Sequence, residues 1–277
     1  MKKIRYSAEL HLLFVRNGFI MIKNYDWGER RLGEVLAVLS GKGGTGKTSV
    51  CAGISTALAE SGLRILCIDC DVGLRNLDIS LGLSDSGALS FLDVCCGGYS
   101  LDRAEQHPDY PSLFFLTAPM NCGVEDIDTG AFGEMLRKAR QEFDYIFLDA
   151  PAGVDAGFRL VTECADRFLV VTGAGPAAIR DASRVGELLE LAGKQSIRLI
   201  VNRVDKNMLS AVRMTIDDVM DTSGLPLMGV VLEDLDVTMA ASFGKSLLRY
   251  SGRCGAAKAF RRIARRIQGF PEPMKLH

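Results

Sequence analysis

The chain has 277 residues, 48% of them hydrophobic and 24% charged, with a formal net charge of −1. That length suits one sizeable α/β core, and the balanced charge excludes a global electrostatic case for nucleic acid or an acidic surface. No uninterrupted apolar run approaches the ~18 residues that a membrane-spanning helix needs.

The opening "MKKIRYSAELHLLFVRNGFIMIK" has a basic start and a short apolar stretch cut by Arg16, a poor signal peptide. A cytoplasmic location follows as the default. Residues 1–33 read as an N-terminal extension, either poorly ordered or created by an early start with Met21 as the true one. A membrane-surface or partner-binding helix is the sharper alternative. Residues 34–269 read as one domain and 270–277 as a short tail.

Seven apolar runs then predict strands: "EVLAVLS", "RILCID", "SLFFLTA", "DYIFLDA", "RFLVVTG", "IRLIVNR" and "LMGVVL". Between them, helical spacing predicts helices over 48–60, 130–142, 177–192 and 209–222, with others near 235–243 and 255–268. Continuous apolar strands alternating with helices predict a mostly parallel twisted sheet with helices on both faces. Ligands of such sheets bind at the carboxyl ends of the strands.

Eight cysteines are scattered along the chain. Cys67 and Cys70 form a C-x-x-C, but on a strand they face opposite ways and would chelate poorly, so buried thiols are expected.

After the first strand, "LSGKGGTGKTS" holds a G-x-x-x-x-G-K-[ST] from Gly41 to Thr48, at the start of a predicted helix. Gly41, Gly43, Gly44 and Gly46 let the backbone turn successive N–H groups toward an anion. The helix start adds its positive end. Lys47 is placed to reach β- and γ-phosphates, and the Thr48 hydroxyl to ligate Mg²⁺. A P-loop also needs a carboxylate at a neighbouring strand end, and "YIFLDAPAG" supplies Asp149. "ILCIDCDVG" adds Asp69, which would support the loop and the Mg²⁺ shell, and Asp71, which could orient or polarise the attacking water.

Together with "DCDVGLRNLDISLG", "IRDASR", "LIVNRV" and "GVVLEDLDVTMAASFGKSL", in the same order from about residue 34 to 268, these motifs resemble the deviant Walker A ATPases of the MinD/ParA family. The piece "GLRNLD" is similar to its MinD branch. The resemblance implies a P-loop NTPase of the SIMIBI/MinD type that binds ATP with Mg²⁺ and hydrolyses it slowly. It implies a homodimer when ATP is bound, division-regulator proteins as partners, and a role in positioning the bacterial septum. By position it gives Lys42 the part of the signature lysine that crosses to the partner's ATP phosphates. Asp71 takes the water-activating part and Asp149 that of the Walker B aspartate. The loop through Thr45 and Ser49 falls to the nucleotide, as do Asn202, at the adenine, and its neighbour Arg203.

Three departures from the family stand out. Thr45 replaces a usual valine, Leu232 stands where proline is common, and the family's basic membrane-binding tail is missing after "GFPEPMKLH". The predicted last helix, "AAKAFRRIARRIQG", has a stripe of Phe260, Ile263, Ala264 and Ile267 opposite four arginines. Docking on the sheet is the expectation, since the stripe is no larger than a core contact needs. Binding at the inner face of the membrane is the alternative.

Flagellar-number and chromosome or plasmid partitioning ATPases of the same family are the nearest other readings. A metallocluster reductase or metal-insertion ATPase on the same scaffold is a different class. Cys95, Cys96 and Cys122 are its only candidate ligands, and their context does not resemble those ligand motifs.

Overall fold

Each of the seven apolar runs forms a strand, because a strand covered on both faces excludes polar residues from both. The computed structural model describes residues 32–273 except 73, 85, 121 and 212. The expected extension up to residue 31, the Met21 start and the last four residues of the tail lie outside the described residues. The strands are β1 (Glu34–Leu39), β2 (Ile65–Asp69), β3 (Glu105–Gln106), β4 (Leu113–Leu116), β5 (Tyr145–Asp149), β6 (Arg167–Thr172), β7 (Ile197–Val204) and β8 (Leu227–Leu232). They form one sheet in the order β3-β4-β2-β5-β1-β6-β7-β8. All neighbours are parallel except the short edge pair β3 and β4. The two-residue β3 was not anticipated.

The helices are α1 (Lys47–Glu60), α2 (Leu77–Leu81), α3 (Phe91–Cys95), α4 (Thr129–Ala139), α5 (Ala156–Cys164), α6 (Pro176–Leu191), α7 (Lys206–Ala211), α8 (Ile216–Ser223), α9 (Leu235–Ser242), α10 (Leu247–Ser251) and α11 (Gly255–Ile267). The single helix expected over 209–222 is two. Thr215 caps α8, accepting from the Asp218 N–H at 3.1 Å, while the Asp218 carboxylate accepts the Thr215 N–H at 2.6 Å. That capping box starts a new helix, and Arg213 just before it takes φ 52°.

The core has two layers, one on each face of the sheet. α4, α5, α6 and α8 supply Phe132, Phe158, Ile179 and Val219 to one. α1 and α11 supply Ile54, Leu58, Phe260 and Ile263 to the other. Cys70 belongs to the first layer and Cys67 to the second, so the two buried thiols of the C-x-x-C lie on opposite faces of the sheet. α11 buries its Phe260, Ile263, Ala264 and Ile267 stripe, each large side chain contributing about 1.5–3 kcal/mol of burial. Arg261 on its polar face pairs with Glu60 of α1 at 2.6 Å.

From β5 the chain crosses to β6 on the other side of β1, so the strand order reverses at β1. The carboxyl end of β1 is thus the crevice in which this kind of sheet binds ligands. The loop of four glycines begins there.

Candidate nucleotide site

The loop after β1 is shaped by contacts that only glycine permits. Gly44 and Gly46 both have φ 81°, a left-handed conformation costly to other residues. A Cβ on Gly46 would lie 2.3 Å from Asn202 Nδ2, and one on Gly41 2.6 Å from Asp181 Cβ. Gly46 is the N-cap of α1 and offers no side-chain cap. The first N–H groups of a fourteen-residue helix are therefore turned toward the crevice without a protein acceptor.

The loop's other polar edge is held from behind. Asn202, at the end of β7 and almost fully buried, donates from Nδ2 to the carbonyl of Thr45 at 2.9 Å. Arg203 takes φ 55°, donates to the Gly44 carbonyl at 3.1 Å and pairs with Glu233 beyond β8 at 2.9 Å. With the carbonyls engaged below, the N–H groups face the other way. The Thr45 hydroxyl is buried without a partner.

Lys47 is buried, with Nζ 2.5 Å from Asp149 Oδ1 and 3.5 Å from the Thr48 hydroxyl. Burial opposes its charge, but the charge and hydrogen bond of Asp149 outweigh that and hold it above its ordinary value. Asp149 ends β5 and is in register with Asp69, which ends β2. Asp69 accepts backbone N–H groups from Asp71 at 2.9 Å and from Asn76 and Leu77 at 3.1 Å each. It thereby anchors the loop that carries Asp71 and the start of α2. Burial, reinforced by the charge of Asp149, pushes Asp69 up to about 6. Asp71 is half-buried and is also raised, by burial first and then by Asp149, while Lys47 pulls it down.

Lys47, Thr48, Asp69, Asp71 and Asp149 therefore converge on one crevice with Gly41, Gly43, Gly44 and Gly46. Two buried carboxylates and a hydroxyl beside a single lysine are a hard-oxygen donor set suited to Mg²⁺ with part of its water shell.

Lys42 does not join them. It is half-exposed and points to Asp181 of α6, with Nζ 3.7 Å from Oδ2. Asn202 and Arg203 contact the loop's own backbone, and Leu232 sits half-buried at the end of β8 beside Glu233. Asp181 and Glu233 are the residues that sequence reasoning passed over. The first lay in the quoted "IRDASR", and the second follows the last apolar run, as the Asp149 type of residue does.

Cys95, Cys96 and Cys122 join no group close enough to hold a metal among the described residues of this chain. Among the described residues the group close enough to hold a metal is Asp234, Asp236 and Cys254. Asp234 is occupied there, capping α9 through Asp236 N at 3.1 Å and α11 through Ala256 N at 3.0 Å. Among the described residues no helix is long and apolar enough to cross a membrane.

Residues 36–248 match the model of the CobQ/CobB/MinD/ParA nucleotide binding domain. The septum site-determining protein MinD of Synechocystis is 35% identical over 240 residues, covering 86% of this chain and 90% of that one. The protein of the same name from Bacillus subtilis is 33% identical over 251 residues, 88% of this chain and 92% of that one. Among solved structures, the MinC:MinD cell division complex of Aquifex aeolicus superposes with a TM-score of 0.81 at 33% identity, covering 88% of this chain and 98% of that chain. MinD of Pyrococcus horikoshii, complexed with Mg-ADP, gives a TM-score of 0.75 at 27% identity, covering 85% and 96%. On its sequence, its sheet order and the loop, lysine and carboxylates at the end of β1, this chain belongs to the CobQ/CobB/MinD/ParA family of nucleotide-binding proteins.

Proposed function

We propose that this chain is a MinD-type ATPase of bacterial cell division that binds Mg-ATP, dimerises with it bound, and hydrolyses it to reset. The observation that carries the proposal is the unequal placement of two lysines on one loop. Lys47 is locked into the crevice by Asp149, while Lys42 makes only an open, half-exposed pair with Asp181.

In this reading the N–H groups of residues 43–48 and the Lys47 ammonium hold the β- and γ-phosphates. Lys47 would exchange Asp149 for phosphate oxygens, and Asp149, Asp69 and the Thr48 hydroxyl would hold Mg²⁺, which would supply positive charge against the phosphates. Asp71, on the loop that Asp69 anchors, orients and polarises the attacking water. The base would lie toward Asn202, Arg203 and Leu232, and Ser49 would follow the phosphate site on the first turn of α1.

Lys42 then serves a second copy. A cation delivered from a neighbouring subunit stabilises developing charge only when the dimer has formed, which ties turnover to association. Residues 34–269 form the ATPase domain in this account. Its partners are division-regulator proteins, in line with the relative solved together with MinC. Its place is the cytoplasm and, for part of the cycle, the inner face of the membrane.

The test is static light scattering with Mg-ATP and with Mg-ADP. Doubling of mass with Mg-ATP alone, lost in Lys42→Ala while nucleotide binding persists, supports the reading. A monomer under both conditions overturns it.

A further inference from the structure

β8 ends the strand order on its side of the sheet. α8 packs into the core layer on one face and α11 into the layer on the other. Between the two helices, along β8, lies a cavity of about 650 Å³, within the range typical of small-molecule sites. It shares no residue with the nucleotide crevice. Its apolar wall is Ile216 and Met220 of α8, Leu227 and Val230 of β8, and Ala259 and Ile263 of α11.

The charged lining is lopsided. Arg266 donates to the Met228 carbonyl at 2.7 Å, which sets its guanidinium at the amino end of β8. Its other hydrogen bonds go to the carbonyls of Glu272 at 3.2 Å and Pro273 at 2.8 Å. Neutral oxygens thus take three of its five N–H groups, and two remain. Burial, and after it the like charge of Arg262 one turn earlier, lowers its affinity for the proton, while the Glu272 carboxylate, itself paired with Arg265, opposes this. Both arginines line the cavity. The acidic member of the lining, Asp217, lies at the other end: α8 leads through Gly224–Pro226 into β8, so its first turn runs beside the strand's carboxyl end.

An apolar wall with two guanidinium groups at one end matches an amphiphile whose anionic head is planar and bidentate. We propose that this cavity binds a long-chain carboxylate, its chain between α8 and α11 and its head on Arg262 and Arg266. The volume of about 650 Å³ suits a single acyl chain.

The probe is cis-parinaric acid, a fluorescent C18 carboxylate, titrated into the full chain below its micelle concentration and displaced with oleate. Saturable one-to-one binding is expected, at least tenfold weaker in Met220→Trp, which fills the cavity, and in Arg262→Glu, which inverts one end. Oleyl alcohol, which lacks the charge, is expected to compete at least tenfold less well than oleate. Mg-ATP binding and the far-UV circular dichroism of both variants should match the parent, and Arg262→Glu carries the test by itself if Met220→Trp does not fold. The proposal is overturned by no saturable binding, by undiminished binding in Arg262→Glu, by equal competition from the alcohol, or by capture of phosphatidylglycerol vesicles without binding of free oleate.

Discussion

Lys42 Nζ lies 3.7 Å from Asp181 Oδ2, both side chains about two-fifths exposed. An ion pair this open is worth under about 1 kcal/mol, so the lysine can leave it cheaply. Asp181→Ala is expected to change stability by less than that amount in urea unfolding and to leave Mg-ATP dimerisation intact. Lys42→Ala is expected to bind Mg-ATP and remain a monomer by light scattering. Equal dimerisation by that variant would remove Lys42 from the interface.

Lys47 and Asp149 form the opposite kind of pair, buried and 2.5 Å apart. Removing one partner strands the other charge in the interior, at a cost of about 3–5 kcal/mol. Asp149→Ala should show that loss in urea unfolding, together with loss of Mg-dependent nucleotide binding by calorimetry. Parent-like stability would mean that Lys47 has another buried acceptor.

Asp71 is half-buried and mounted on a loop that Asp69 fastens. Asp71→Ala should therefore keep nucleotide binding and dimerisation but lose ATP turnover at least tenfold, leaving an ATP-bound dimer in a phosphate-release assay. Undiminished turnover would exclude Asp71 from the hydrolytic step.

His107 gives a pH dependence. Its ring is buried, with Nε2 2.8 Å from the Leu81 carbonyl and Nδ1 accepting the Asp109 N–H at 3.1 Å. The neutral ring protonated on Nε2 satisfies both contacts. Burial lowers its pKa, with the Leu81 carbonyl and Asp109 opposing. The unfolded chain then binds the proton more readily than the folded one, so stability is present above the ordinary value of 6.5 and is lost as pH falls below it. His107→Gln should flatten the difference between melting temperatures at pH 7.5 and 5.5. An unchanged difference would assign the acid sensitivity elsewhere.

Gly53 of α1 faces the Phe260 ring of α11, and a Cβ there would lie 2.2 Å from the ring. Gly53→Ala must push α11 off the sheet or force the ring out of its rotamer, at about 1–3 kcal/mol. Thermal unfolding should show this, and a compensating Phe260→Leu should recover part of it. Absence of any effect would mean that α11 is not packed on α1.

Most of the framework could be read from the chain. Doubly covered strands show as unbroken apolar runs, and the phosphate loop shows through its fixed spacing and its place after the first of them. The short helices could not be read so. α2 is five residues long, too few for a helical period, and its first N–H is held by the carboxylate of Asp69. The break between α7 and α8 was written in Thr215 and Asp218, but the periodic spacing over 209–222 masked it. At the site, residues bound to a motif were legible. Asp181 and Glu233 were not, because their partners Lys42 and Arg203 reach them only through the packing of other elements.

The grip of Asn202 and Arg203 on the carbonyls of Thr45 and Gly44 divides the site into a stationary half and a movable half. The backbone of the glycine loop is thus pinned from behind by two side chains at the end of β7. In the proposed reading, ATP and ADP would meet that same pinned loop. Under that reading, any distinction between them would then be registered by the loosely paired member of the loop, Lys42 on its exposed aspartate. The proposed switch would turn on its most weakly paired lysine.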